Sequence, residues 1–239
     1  MPAKRLLLLS NSRDPEGRFL VHPREVIREF LGPITSALFV PFATVMTSLD
    51  AYAELTSTAF AEMGMTSSSV HAARDGVRAV RDADAIVVGG GNTFQLLKRL
   101  YETRLLDAIR ERVSLGVPYI GWSAGSVITA PTMRTTNDMP IVEPPSLDAL
   151  GFVPFQINAH YTDFHPAGFQ GETRVQRISE FLELNRSRVV VGLREGSMLR
   201  VEGDDVLLIG PDAVVFRHGS ALETWAGGER KKMRELAGG

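Results

Sequence analysis

The chain has 239 residues, 44% hydrophobic and 23% charged, with no cysteine and a net charge of −2. That length buries a sizeable core in one large domain or two small ones. The missing thiols exclude disulfides, thiolate metal sites and a cysteine nucleophile, and the small charge provides no field to draw nucleic acid or an anionic membrane.

The opening MPAKRLLLLSNS has an apolar block of only Leu6 to Leu9, followed at once by Ser10, Asn11, Arg13 and Asp14. It is too short for the core of a signal peptide and reads as a buried first strand. No stretch approaches the roughly 20 apolar residues needed to cross a bilayer. A soluble, cytoplasmic protein is expected.

Val26, Ile27, Phe30 and Leu31 line one face of a first helix, stopped by Gly32-Pro33. Leu38-Phe39-Val40 predicts a second strand. Ser48 caps a helix carrying Leu49, Tyr52, Phe60 and Met63, with Gly64 as its stop. A weak strand near Ser69-Val70 and a short helix around Val77 and Val80 follow. Ile86-Val87-Val88 and Tyr119-Ile120 are further strands, separated by a helical region over 93–115. Short apolar runs alternating with helices imply a mostly parallel sheet flanked by helices, an α/β fold.

The last third differs. Phe155-Gln156-Ile157 predicts a strand ending at 159, and Val175, Ile178 and Leu182 mark one more helix. Val189–Leu193, Met198–Val201, Val206–Ile209 and Val214–Phe216 then follow as strands. Gly203-Asp204-Asp205 and Gly210-Pro211-Asp212 have the length of antiparallel hairpin turns, so the sheet should gain an antiparallel edge. The charged tail from Gly227 reads as a frayed helix. With no repeat or linker, residues 1–239 are expected to form a single domain.

Gly121-Trp122-Ser123-Ala124-Gly125 fits a Gly-x-Ser-x-Gly nucleophile elbow between a predicted strand and a predicted helix. The turn lifts the hydroxyl above the strand ends and leaves the following N–H facing a developing oxyanion. A glycine-lined structural turn is the plain alternative. Val88-Gly89-Gly90-Gly91-Asn92-Thr93 lies at another strand end. It lacks the Gly-Lys-Ser/Thr of a phosphate-binding loop and has Phe94 where the dinucleotide fingerprint needs glycine. Its functional reading is an N–H of Gly90 or Gly91 joining that of Ala124 in an oxyanion hole; a tight turn before a helix is the other.

A serine nucleophile needs a base, and the chain has five histidines. His22 precedes Pro23 in loop sequence, His71 follows a weak strand and His218 lies at a hairpin near the end, leaving His160 and His165; His160 comes first beyond the strand end, where loops gather above a parallel sheet. Asp138 and Glu195 are both candidates to orient it, and spacing does not choose between them. His160, Asp163 and His165 also form a conceivable metal cluster, but one without helical spacing or a clear further ligand.

The stretches GGGNTFQLL, YIGWSAG, RTTNDMPIV and GETRVQR, in this order, resemble the peptidase E family of serine peptidases, the α-aspartyl dipeptidases. The similarity runs from LLLLSNS to GLREGS near Gly196. It implies a fold like that of class I glutamine amidotransferase domains and cleavage of dipeptides with N-terminal aspartate (Asp-X), without metal or cofactor. It further implies Ser123 as nucleophile, His160 as general base and Glu195 or Asp138 as the third group, with Glu195 favoured because it follows the histidine and ends a strand. Arg174 matches a position suited to hold the aspartyl carboxylate; a solvated helix arginine is the bland reading. Two departures bear on pocket shape: Ser126-Val127 replaces the usual Ala-Asn, and the loop 161–166 carries His165. Another serine hydrolase, acting on esters or aspartate-rich polymers, and a non-catalytic binding protein on the same scaffold are the alternatives. Monomer and homodimer both stay open.

Overall fold

The computed structural model describes residues 3–168 and 170–238. Its larger sheet has eight strands. Five are parallel: β1 (Arg5–Leu9), β2 (Ser36–Val40), β3 (Thr66–Ser69), β4 (Ile86–Val88) and β5 (Tyr119–Trp122), running in the order β1-β5-β4-β2-β3. Alternation along β1 explains why all four leucines are buried. Leu6 and Leu8 face a core built from Leu96, Leu100 and Ile109, while Leu7 and Leu9 face Ile27, Phe30 and Phe60. Helices α1 (Arg24–Leu31) and α2 (Leu49–Ala61) cover that second face. The first is covered by α3 (Gly76–Asp82), α4 (Thr93–Glu102) and α5 (Leu105–Ser114). Covering both faces of a parallel sheet is what makes its strands continuously apolar.

Local signals act where the sequence places them. The Ser48 side chain accepts from Ala51 N to start α2, and Asn92 accepts from Gln95 N to start α4. The helical region 93–115 is two helices, broken at Arg104, which adopts a left-handed conformation (φ 59°).

A second sheet departs from expectation. After α6 (Ala124–Val127), the strand β6 (Gln156–Tyr161), helix α7 (Arg174–Leu184) and strand β7 (Val189–Arg194) form a parallel crossover unit of their own. β8 (Met198–Glu202) then returns to the large sheet, antiparallel to β1, and β9 (Asp205–Ile209) pairs with β8. The Gly203-Asp204-Asp205 hairpin and the antiparallel edge are therefore present. Gly210-Pro211-Asp212 is no hairpin: it hands the chain from β9 to β10 (Ala213–Arg217), which pairs with β7 in the smaller sheet. The tail is not a frayed helix. It supplies β12 (Arg230–Lys232) beside β9 and a 3-10 turn, Met233–Glu235, after the short strand β11 (Glu223–Trp225) beside β10. Gly239 lies outside the described residues. Among the described residues no helix is long and apolar enough to cross a membrane.

The parallel strands deliver their carboxyl ends to one rim. Ser10–Arg13 follows β1, Phe42–Thr47 follows β2, Gly89–Asn92 follows β4 and Ser123 follows β5. Loops beyond the carboxyl ends of parallel strands are where an open α/β sheet builds its binding sites.

Candidate active site

Ser123 sits between β5 and α6 with φ 51° and ψ −115°, backbone that a residue with a Cβ avoids. The strain is tolerated because the turn is held on both sides. Ser123 N donates to Leu9 O at 3.1 Å, and its carbonyl accepts from Ser126 N and Val127 N at 2.9 Å each. The Ser126 hydroxyl, fully buried, lies 2.7 Å from Leu9 O and 2.8 Å from Gly121 O, tying the turn to β1. Gly125 packs so closely on β4 that a Cβ would overlap the Val88 carbonyl. The second glycine of the motif thus serves close backbone approach.

His160 lies inside β6, not beyond its end as the sequence suggests. It too has positive φ (54°), where the register of β6 on β7 shifts between Asn158 and Tyr161. This irregularity turns the imidazole toward the rim, a frequent use of a bulge beside a functional site. His160 Nε2 is 2.9 Å from Ser123 Oγ, and Nδ1 is 3.0 Å from Glu195 Oε1. Glu195 follows directly on β7, so Ser123 comes from the large sheet and its two partners from the small one.

Asp138 does not reach the histidine. Its Oδ2 accepts from Thr93 N at 2.7 Å, Thr93 Oγ1 at 2.5 Å and Thr136 Oγ1 at 3.0 Å. It anchors the start of α4, directly after the Gly89–Asn92 loop. In that loop Gly91 has φ 138°, and a Cβ there would overlap the Ala43 carbonyl. Among the described residues, the N–H groups of Gly90 and Gly91 donate to no protein acceptor, nor does that of Ala124 at the start of α6. Gly90 and Gly91 border a cleft of about 720 Å³ that also contains Ser123, His160, Tyr52 and Trp122. A cavity of about 790 Å³ beyond the 42–49 segment, among His71, Arg74 and Arg99, is slightly larger but contains none of the residues expected to react.

Arg174, the first residue of α7, is not among the residues bordering the cleft. Its guanidinium donates to Asn137 Oδ1, which also accepts from Asn158 Nδ2 at 2.7 Å. Burial, with repulsion from Arg177, lowers its pKa from the ordinary arginine value. The other conceivable metal-site residues diverge. Asp163 accepts from Tyr161 Oη at 2.7 Å and pairs with Arg194 at 2.6 Å, while His165 Nε2 is 2.9 Å from Gly171 O. The Tyr161 hydrogen bond, followed by Arg194, keeps the Asp163 carboxyl below its usual range.

Several contributors escape a sequence reading. Ser10, fully buried, accepts from His160 N at 2.9 Å and donates to Leu193 O at 2.9 Å, bracing β6 against β7. Asn11 Oδ1 accepts from Gly196 N at 2.7 Å, fixing the turn that carries Glu195. Tyr52 Oη accepts from Trp122 Nε1 at 2.8 Å and donates to Gly90 O at 3.1 Å, joining the end of β5 to the glycine loop. Burial pushes the Tyr52 pKa up to about 12, so the phenol stays a donor at neutral pH. A Ser-Asn pair closing a wholly apolar strand was the available signal for the first two; for Tyr52 there was none.

Fold and site define a serine peptidase on a mixed α/β scaffold with a largely parallel central sheet. The model of peptidase family S51 matches residues 6–209, and the chain belongs to that family. A relative from Nostoc sp. named Peptidase E is 46% identical over 225 residues, covering 93% of each chain. One of the same name from Salmonella paratyphi A is 44% identical, covering 94% of this chain and 99% of its own. The fold is also that of a peptidase from an acI-B1 Actinobacterium (TM-score 0.73, 18% identity, 96% of this chain and 97% of that one).

Proposed function

We propose that this chain is a cytoplasmic dipeptidase acting on Asp-X substrates through an acyl-enzyme on Ser123. The observation that carries the reading is the continuous relay from Ser123 Oγ to His160 Nε2 and from His160 Nδ1 to Glu195 Oε1, at 2.9 and 3.0 Å. His160 takes the hydroxyl proton as Ser123 attacks the aspartyl carbonyl, and then passes it to the leaving amine. Water, deprotonated by the same imidazole, releases aspartate. Glu195 fixes the ring and steadies the imidazolium. The N–H of Ala124 with that of Gly90 or Gly91 receives the oxyanion, each such donor being worth about 3 kcal/mol in comparable sites. Every step is assigned to protein groups, with residues 1–239 acting as one domain.

Selectivity for aspartate requires a cation, since a carboxylate buried unpaired is costly. Arg174 fills this role in the proposal: it has no carboxylate partner among the described residues, and Asn137 holds it against β6. The similarity to the α-aspartyl dipeptidases supports the choice.

The test combines labelling and turnover. A serine-directed phosphonate should modify the wild-type chain and leave Ser123→Ala unmodified, and that variant should fold but lose Asp-Leu hydrolysis. Arg174→Ala should reduce kcat/KM on Asp-Leu well beyond its effect on Ala-Leu. Hydrolysis undiminished in Ser123→Ala overturns the nucleophile; equal losses on the two dipeptides overturn the role of Arg174.

A further inference from the structure

The cleft at Ser123 is bordered by one arginine or lysine among the described residues, and it is Arg13. Nothing in the reaction described so far uses it. Its loop is held by backbone and side-chain hydrogen bonds. Arg13 and Phe19 form an antiparallel bridge, Leu20 N donates to Ser12 O at 2.7 Å, and Asn11 Nδ2 donates to Arg13 O at 2.6 Å. The guanidinium lies 5.7 Å from the Phe19 ring centroid, and Phe19 in turn packs edge-on against Trp122, the residue before Ser123.

Two acids in the same loop stand ready to neutralise Arg13, yet neither does. Asp14 pairs with Arg18 at 2.7 Å, and Glu16 pairs with Arg18 at 3.2 Å. Arg13 donates only to a carbonyl, Gly17 O, at 2.6 Å, and has no ion pair among the described residues. Among the described residues the one carboxylate bordering the cleft, Asp138, is occupied by Thr93 and Thr136. The cleft therefore offers an uncompensated guanidinium, stacked on an aromatic ring and with donors to spare. Guanidinium groups are the side chains best matched to carboxylates.

An Asp-X dipeptide carries two carboxylates, one on the side chain and one at its C-terminus. Arg174, tied through Asn137 to β6, is assigned the first. We propose that Arg13 binds the second, the free C-terminal carboxylate of the leaving residue, and so restricts the enzyme to dipeptides. This inference rests on the dipeptidase reading above. It makes Arg13 a specificity-determining residue that touches substrate away from the reacting atoms.

The experiment compares Asp-Leu with Asp-Leu amide, which differ only in that carboxylate, in wild type, Arg13→Ala and Arg13→Lys. Arg13→Ala should lower kcat/KM for Asp-Leu roughly tenfold to hundredfold, mainly through KM, and change the amide by no more than about twofold. Arg13→Lys should recover part of the loss. Equal losses on acid and amide, or no loss on either, overturn the proposal; a loss on both that spares Ala-Leu would move Arg13 to the aspartyl side chain instead. Wild-type cleavage of Ala-Leu without cleavage of Asp-Leu overturns the aspartyl reading alone. Ala-Leu against its amide then decides the role of Arg13.

Discussion

Ser123 and His160 share an uncommon property: both are non-glycine residues with positive φ, at 51° and 54°. Conformations of this kind cost on the order of 1–3 kcal/mol each and persist only where surrounding contacts enforce them. Ser10 and Ser126 supply that enforcement, each from a buried hydroxyl bonded to the backbone of a neighbouring strand. Glu195 is held less tightly. Its side chain is 69% exposed, so water competes for its carboxylate and its contribution is smaller than that of a buried acid. Glu195→Gln should therefore lower kcat roughly tenfold to hundredfold with little change in KM or melting temperature. Steady-state kinetics beside a thermal melt decides it, and unchanged kcat would remove Glu195 from the relay.

At the scale of elements, Asp138 belongs to α4. Its carboxylate satisfies an N–H at the helix start and adds negative charge where the helix dipole favours it. Asp138→Asn should cost about 0.5–1 kcal/mol of stability, read by denaturant titration, and loosen the Gly89–Asn92 loop enough to reduce kcat only modestly. A kcat loss larger than that of Glu195→Gln would reverse the two assignments. The same elements show what could be read beforehand. The crossover half was legible because strand, helix and cap signals are local: Leu6–Leu9, Ser48 and Gly32 each act within a few residues. The position of His160 was not, because a register shift depends on how β6 meets β7. Nor could spacing separate Glu195 from Asp138, since each lies beside the cleft rim and only the approach of β7 to β6 brings one of them to the imidazole. Strands β11 and β12 were hidden for another reason: Glu223–Trp225 and Arg230–Lys232 are only three residues long, and the second is wholly charged.

For the whole molecule, the missed feature was the division into two sheets. Gly203-Asp204-Asp205 and Gly210-Pro211-Asp212 look alike as turns, yet one closes a hairpin and the other changes sheets. Such a choice is made by distant partners: β8 finds β1, some 190 residues earlier in the chain, and β10 finds β7. The consequence for the site is direct. Ser123 and His160 are carried by different sheets, and Ser10 and Asn11, at the end of β1, tie β6 and the turn after β7 to the larger one.

The pairing of β1 with β8 also bears on the growing chain. A polypeptide released from the ribosome after Gly196 already contains Ser123, His160 and Glu195, but Leu6–Leu9 would have a bare edge where Met198–Glu202 belongs. Such an edge is an open template for pairing with other chains. A truncation at that point should be inactive and aggregate on expression, and adding residues 197–239 as a separate peptide during refolding should recover soluble, active material if the missing neighbour is the cause. Ser123, His160 and Glu195 are thus all made before the strand that seals the first one in the chain.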